Sequence, residues 1–384
     1  MKILQVIASA NPAGGGPIEG LKQMAPVLTS MGHAIELATL DDPADAWLSE
    51  LPFPIHALGP SRMGYGYTAK AVAWLRRRRN DYDAVIVRGI WGYHSFAVWR
   101  ALKGAGTPYY VFPHGMLDPW FKERYPLKHI KKWLYWPWAE YRVLRDAHAV
   151  IFTCEEERLV ARRSFWLYRA NEKVTNYGTA QPPENADELQ AAFVEAWPSL
   201  RGKRIVLFMG RLHEKKGCDL LLEAFACIAG RDPTLHLLMA GPDQTGLRGE
   251  LERLAERHGI AERVTWPGML EGAMKWGAFN AAEVFCLPSH QENFGIVVAE
   301  ALACGKPVLI SDKVNIWREI EADAAGFVET DSVEGTVSNL QRWLALDESG
   351  YQRMTANARR CFRQRFHIER AAERLIEILN EFAR

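Results

Sequence analysis

The sequence predicts an α/β protein with two doubly wound, Rossmann-like parallel sheets. Three observations carry that expectation. Short β-rich apolar runs alternate with longer helical patterns. The alternation stops at a polar, proline-rich stretch, Gln181-Pro182-Pro183-Glu184-Asn185, and then restarts. The chain has 384 residues, and domains usually run about 100–200 residues, so two domains fit the length.

In the first half, residues 3–7, 34–38, 84–87, 108–112 and 149–152 read as buried strands. Residues 17–31, 68–78 and 128–145 read as helices between them, the alternation expected of parallel βαβ units with helices on both faces. In the second half, residues 204–209, 235–240, 264–266, 284–287 and 307–310 read as strands, and 219–229, 247–258, 273–280 and 295–304 as helices. A last helix spans about 368–382. The expected domains are 1–180, 181–365, and a carboxyl-terminal helix 366–384 that packs back on the first domain.

Hydrophobic residues make up 48% and charged residues 24%, the composition of a soluble globular protein. The net charge of +1 argues against nucleic acid as a partner, because any basic function must be local. The first residues turn polar too soon for a signal peptide, and no apolar run reaches the roughly 18 residues of a membrane span. Six scattered cysteines without a Cys-x-x-Cys pair read as reduced thiols of a cytoplasmic protein.

Open parallel sheets bind ligands beyond the carboxyl ends of their strands. After the first strand comes Asn11-Pro12-Ala13-Gly14-Gly15-Gly16-Pro17, opening a helix. Gly15 and Gly16 let a ligand approach the backbone where a helix start offers free N–H groups. The spacing fits neither the dinucleotide fingerprint nor the P-loop, so a plain tight turn competes with an anion or sugar contact.

In the second half, the first strand runs into Met209-Gly210-Arg211-Leu212-His213-Glu214-Lys215-Lys216-Gly217. Arg211 and Lys216 lie after a strand and before a helix, with Gly210 beside them. Arg grips phosphate oxygens bidentately and Lys acts as a point charge. Together they can stabilise the charge that develops on a departing diphosphate without a metal.

The fourth strand of that half leads into Pro288-Ser289-His290-Gln291-Glu292-Asn293-Phe294-Gly295. Glu292 falls in the turn before a helix, where the N–H groups of Asn293, Phe294 and Gly295 can face a ligand. Glu300 comes about 7 Å further along the helix. Two carboxylates so spaced can hold two separated polyols, a sugar and a ribose. A capping carboxylate and an exposed helical Glu are the plain alternative.

These two segments, Gly-Arg-Leu-x-x-x-Lys-Gly and Pro-Ser-x-x-Glu-x-Phe-Gly followed by Glu300-Ala301, resemble the carboxyl-terminal half of the retaining family 4 glycosyltransferases of GT-B fold. The resemblance continues through the glycine loop, Phe112-Pro113-His114-Gly115, and residues 174–178 as hinge, where Tyr177 intervenes in the usual Pro-Asn-Gly pattern. It implies two sheets facing a central cleft, with the acceptor in the first domain and the nucleotide sugar in the second. It implies that Glu292 contacts the transferred sugar, Glu300 the ribose, Arg211 and Lys216 the diphosphate, and that His114 lines the donor-sugar pocket.

The activity implied is retaining, metal-independent hexosyl transfer from a UDP- or GDP-sugar to a glycan or lipid-linked acceptor in surface polysaccharide synthesis. No cofactor beyond the nucleotide-sugar substrate is expected. A sugar-nucleotide epimerase or phosphorylase of the same architecture, or a non-catalytic nucleotide-sugar-binding subunit, are the alternatives. Asp81-Tyr82-Asp83 precedes a strand and is discounted as a metal motif. Residues 120–145 carry Lys122, Arg124, Lys128, Lys131, Lys132, Arg142 and Arg145 among Trp133, Tyr135, Trp136 and Trp138. Such a basic aromatic face suits an anionic membrane, which would place the protein at the inner face of the membrane; a core-facing stripe with a solvated basic side is the other reading.

Overall fold

The computed structural model describes residues 1–12, 16–61, 64–124 and 126–382. The chain divides into two compact units, Met1–Gly178 with Ile368–Arg384, and Thr179–His367.

The first unit is built in the order β1 (Lys2–Ile7), α1 (Gly16–Ser30), β2 (Ala34–Thr39), β3 (Ile55–Ala57), α2 (Ala69–Arg78), β4 (Ala84–Arg88), α3 (Tyr93–Leu102), β5 (Tyr109–Phe112), α4 (Trp120–Arg124), α5 (Pro126–Tyr135), α6 (Glu140–Arg145), β6 (Ala149–Phe152), α7 (Glu155–Ala161) and β7 (Glu172–Val174). Its strands lie in the order β3-β2-β1-β4-β5-β6-β7 and pair in parallel. Val85, Ile86 and Val87 are buried on both faces of the sheet, as a strand covered by helices on both sides must be.

The second unit runs α8 (Ala186–Ala196), β8 (Arg204–Met209), α9 (Cys218–Ala229), β9 (Leu235–Ala240), α10 (Arg248–Arg257), β10 (Val264–Gly268), α11 (Gly272–Ala281), β11 (Val284–Leu287), α12 (Ile296–Ala303), β12 (Val308–Ser311), α13 (Trp317–Ala322), β13 (Gly326–Glu329), α14 (Val333–Leu344) and α15 (Glu348–Cys361). Its sheet has the order β10-β9-β8-β11-β12-β13. In both units the strand order reverses beside the first strand of the unit, β1 or β8. That switch point is where loops diverge and a ligand can enter.

The last helix, α16 (Ile368–Asn380), belongs to the first unit. Ile368, Ala371, Leu375 and Ile378 are buried in one cluster with Ile18, Leu21 and Leu28 of α1. The Tyr110 hydroxyl donates to the Leu379 carbonyl at 3.2 Å.

One expected helix is corrected. Residues 128–145 do not form a single helix but two, α5 and α6, separated by Trp136-Pro137-Trp138-Ala139. Pro137 lacks an N–H and its ring crowds the preceding turn, so the helix stops before it. Trp136 is fully buried and stacks on Phe165 with ring centroids 4.5 Å apart. It is therefore core, not part of a surface stripe. No helix of the described residues is long and apolar enough to cross a membrane.

Candidate active site

In the second unit, the post-strand loops of β8, β11 and β12 are tied to one another by backbone bonds. The His290 N–H donates to the Lys215 carbonyl at 2.8 Å, and the Glu292 N–H donates to the Lys313 carbonyl at 3.0 Å. The Asn315 N–H returns to the Glu292 carbonyl at 3.0 Å. Two glycines make this approach possible. Gly217 has φ 63°, and a Cβ there would lie 2.2 Å from the Pro288 carbonyl oxygen. Gly295 has φ 73° and starts α12, and a Cβ there would press on Glu292 and Val298 at 3.2 Å. Any other residue at these two positions would be strained.

This packing brings Lys216 onto Glu292: the ammonium donates directly to a carboxylate oxygen. Burial, then the Lys215 and Arg211 charges, push the Lys216 ammonium below the usual lysine range, while the Glu292 carboxylate in contact with it favours the charged form. Arg211 itself is exposed to solvent at the start of the loop. Gly210 sits at the end of β8, its N–H bonded to the Ala240 carbonyl at 2.9 Å. The loop therefore presents one fixed, partly desolvated cation and one solvent-facing guanidinium, beside a carboxylate.

Glu300 lies in the body of α12 and is 2% exposed. Lys275 of α11 donates to it at 2.6 Å, and the same ammonium rests 4.8 Å above the Trp276 ring. Lys275 was invisible in the sequence because nothing in its local pattern marks it. Asn293 and Phe294 complete the turn between Glu292 and Gly295, with Phe294 buried against Phe366, ring centroids 5.5 Å apart.

His114 belongs to the first unit, just past β5. It adopts φ 51°, stacks on Phe112 at 5.5 Å and meets the edge of Tyr177 at 6.1 Å. Burial, and then the neighbouring Arg88 charge, lower its imidazole to about 3. Glu157 of α7 holds this turn. Its carboxylate, 2% exposed, accepts the Gly115 N–H at 2.6 Å, the Thr153 N–H at 2.7 Å and the Thr153 hydroxyl at 2.6 Å. Gly16 begins α1, and its carbonyl accepts from the Tyr177 hydroxyl at 3.3 Å. Gly15 lies outside the described residues.

Sequence reasoning missed Lys275, Glu157 and Arg88. Only Arg88 left a signal: a lone arginine closing the apolar run Ala84-Val85-Ile86-Val87.

With this geometry in place, comparison with known proteins is decisive. A family model described as Glycosyl transferases group 1 matches residues 190–361, and one described as Glycosyl transferase 4-like domain matches residues 15–178. The chain belongs to the group 1 glycosyl transferases. Curated relatives include the alpha-D-kanosaminyltransferase of Streptomyces kanamyceticus, 26% identical over 64% of this chain and 63% of that protein. Another is the phosphatidyl-myo-inositol mannosyltransferase of Mycolicibacterium smegmatis, 34% identical over 39% of this chain and 38% of that protein. The chain spans less than two thirds of the length of these curated relatives.

Among solved structures, HepE of Anabaena in complex with UDP has a TM-score of 0.79 at 19% identity, covering 99% of this chain and 100% of that one. Sucrose-phosphate synthase of Thermosynechococcus elongatus has a TM-score of 0.76 at 20% identity, with 99% of both chains covered. The two parallel sheets of this chain are those of the GT-B fold.

Proposed function

We propose that this chain is a retaining, metal-independent glycosyltransferase that moves a hexosyl group from a nucleotide diphosphate sugar to a hydroxyl acceptor. The observation that carries the reading is the pairing of Lys216 with Glu292 across two post-strand loops of one sheet. It sets a diphosphate-binding cation directly beside a carboxylate suited to sugar hydroxyls. The second unit is the proposed donor-binding unit and the first the acceptor-binding unit, with His114 as a donor-sugar contact.

In the proposed step, the bond from the anomeric carbon to the β-phosphate oxygen breaks, and its electron pair stays on that oxygen. The acceptor oxygen bonds the anomeric carbon on the same face, and its proton passes to the leaving phosphate. Arg211 and Lys216 take up the charge that develops on the phosphate, so no metal is required for that task. Glu292 orients the sugar, Glu300 the ribose, and the Asn293, Phe294 and Gly295 turn presents backbone N–H groups.

UDP is the favoured nucleotide, supported by the HepE complexes with UDP and with UDP-glucose; GDP is the second candidate. The acceptor is proposed to be a glycan or lipid-linked oligosaccharide of surface polysaccharide synthesis. Support comes from the first unit, where Leu127, Ile130, Trp133, Leu134 and Trp138 are all exposed, with Lys131 among them. An apolar face edged by lysines suits an anionic headgroup layer, so the protein is proposed to work at the inner face of the membrane.

A thermal-shift panel of UDP, GDP, ADP and their sugars tests the donor. Ligand at 100 times its dissociation constant should add about 2.7 kcal/mol of stability. No shift with any nucleotide would refute the reading. Vesicle flotation at low salt tests the membrane contact; equal flotation with neutral and anionic lipid would remove it.

A further inference from the structure

Arg88 closes β4 at the carboxyl edge of the first sheet and is 3% exposed. A buried guanidinium ordinarily has a carboxylate partner, because an uncompensated buried charge is costly. Among the described residues Arg88 has none. Its Nε donates to the Gln5 side-chain oxygen at 2.8 Å, its guanidinium lies 5.2 Å over the Phe112 ring, and its Nη1 is buried without a hydrogen-bond partner. Burial lowers its affinity for a proton, and the nearby Tyr177 phenol only partly offsets this.

Two further buried nitrogens in the same cluster are also without partners among the described residues, Nε2 of Gln5 and Nε2 of His114. His114 and Arg88 stack on the same Phe112 ring. Among the described residues, these three nitrogens have no hydrogen-bond partner. The start of α1 adjoins it, since Tyr177 touches both His114 and the Gly16 carbonyl. Helix starts favour negative charge.

The geometry points to an oxyanion-binding site in the first unit, formed by Arg88, Gln5 and His114, for a phosphate or carboxylate group carried by a substrate. It rests on the transferase reading only in naming a substrate as the source. The donor and the acceptor are the two sources. In the tautomer that carries its proton on Nε2, neutral His114 can donate to the anion without adding a second buried charge.

Inorganic phosphate, titrated calorimetrically into the full chain at constant ionic strength, tests the site. Wild type should bind phosphate at two places, here and at Arg211 with Lys216. R88M should lose one and K216M the other, and without phosphate R88M should melt at or above the wild-type temperature. An unchanged phosphate isotherm in R88M, or a lower melting temperature with both sites intact, would make Arg88 merely structural and overturn the proposal. If R88M does not fold, R88K decides: at least tenfold weaker phosphate binding is expected, and wild-type binding overturns it.

The source follows from the nucleotide sugar and the acceptor. A donor source raises the nucleotide-sugar dissociation constant in R88M tenfold or more. An acceptor source leaves that constant alone and raises the acceptor KM. No change in either overturns the proposal. Failure of wild type to bind any nucleotide would refute the transferase reading while leaving the phosphate site at Arg88 to be judged by its own isotherm.

Discussion

Lys275 of α11 reaches the buried carboxylate of Glu300 on α12 at 2.6 Å, so the proposed ribose ligand is held by a residue from the neighbouring helix. Glu300 is almost inaccessible while Lys275 is a quarter exposed. Removing the lysine would leave a buried carboxylate without its ammonium. Breaking such a pair costs up to about 3–5 kcal/mol when both ions are buried, and about half of that is expected for this partly exposed lysine. Lys275→Met should therefore lower stability by about 2 kcal/mol, and Glu300→Gln in the same chain should restore part of it. Urea unfolding of the two single variants and the double variant measures the coupling. Additive effects would show that the pair is not an energetic unit.

The Lys216 ammonium has a different weight. It is not needed to close the fold, since Gly217 and the backbone bonds already join the loops. It is needed, in the proposed reaction, when charge builds on the leaving phosphate. Lys216→Ala should cut kcat by about 10²–10³, the usual cost of losing one charge-stabilising group, while the circular dichroism spectrum stays unchanged. Turnover near the wild-type level would refute the role.

Most of both sheets could be read from the sequence, because buried parallel strands appear as continuous apolar runs such as Ile205-Val206-Leu207-Phe208. Edge strand β10 was legible too, as residues 264–266, but the other edge strands were not. Ile55–Ala57 and Glu172–Val174 have three residues each and only intermediate burial, which is too short for a period to show. β13, Gly326–Glu329, has four residues of alternating burial and was missed for the same reason. Helix α3 was missed because it is buried nearly all round, with Arg100 its one exposed residue, and so carries no polar surface stripe. At the site, Arg211, Lys216 and Glu292 were legible because each follows an apolar run. Lys275 and Glu157 were not, because their meaning lies in partners 25 and 42 residues away, Glu300 and the Gly115 amide.

Two histidines of the first unit set its acid limit. His114 is lowered to about 3 and His94 to about 4, in each case chiefly by burial. Both folded values lie below the ordinary 6.5. The unfolded chain therefore binds more protons between those values and 6.5, so this contribution is complete above pH 6.5 and is lost as the pH falls toward 4. The two together are worth on the order of a few kcal/mol. Nitrogen NMR should find both rings neutral at pH 5.5. For the same reason His114 should contribute no step to a pH–rate profile between 5 and 8. A His114 ring that titrates near 6.5 would refute both statements.

Glu140 works in the opposite direction. It is fully buried on α6, and burial raises its carboxyl to about 7 despite the Trp91 N–H at 2.9 Å, the Ser95 hydroxyl at 3.1 Å and the Lys132 charge. A carboxyl with a raised folded value binds more protons in the folded state between about 4.5 and 7. Its stabilising contribution is therefore present below pH 4.5 and is lost as the pH rises through 7. Between pH 4.5 and 6.5 this slope opposes that of His94 and His114 and, as one group against two, offsets about half of it, so the wild-type stability should still rise with pH there, about half as steeply as the histidines alone would make it. Glu140→Gln keeps an acceptor for the Trp91 N–H but does not titrate. It should uncover the histidine slope, making stability climb steeply from pH 4.5 to 6.5, and it should narrow or reverse the deficit above pH 7. Urea midpoints at half-unit pH steps would show this; parallel curves for the variant and wild type would mean that Glu140 is already ionised throughout the range.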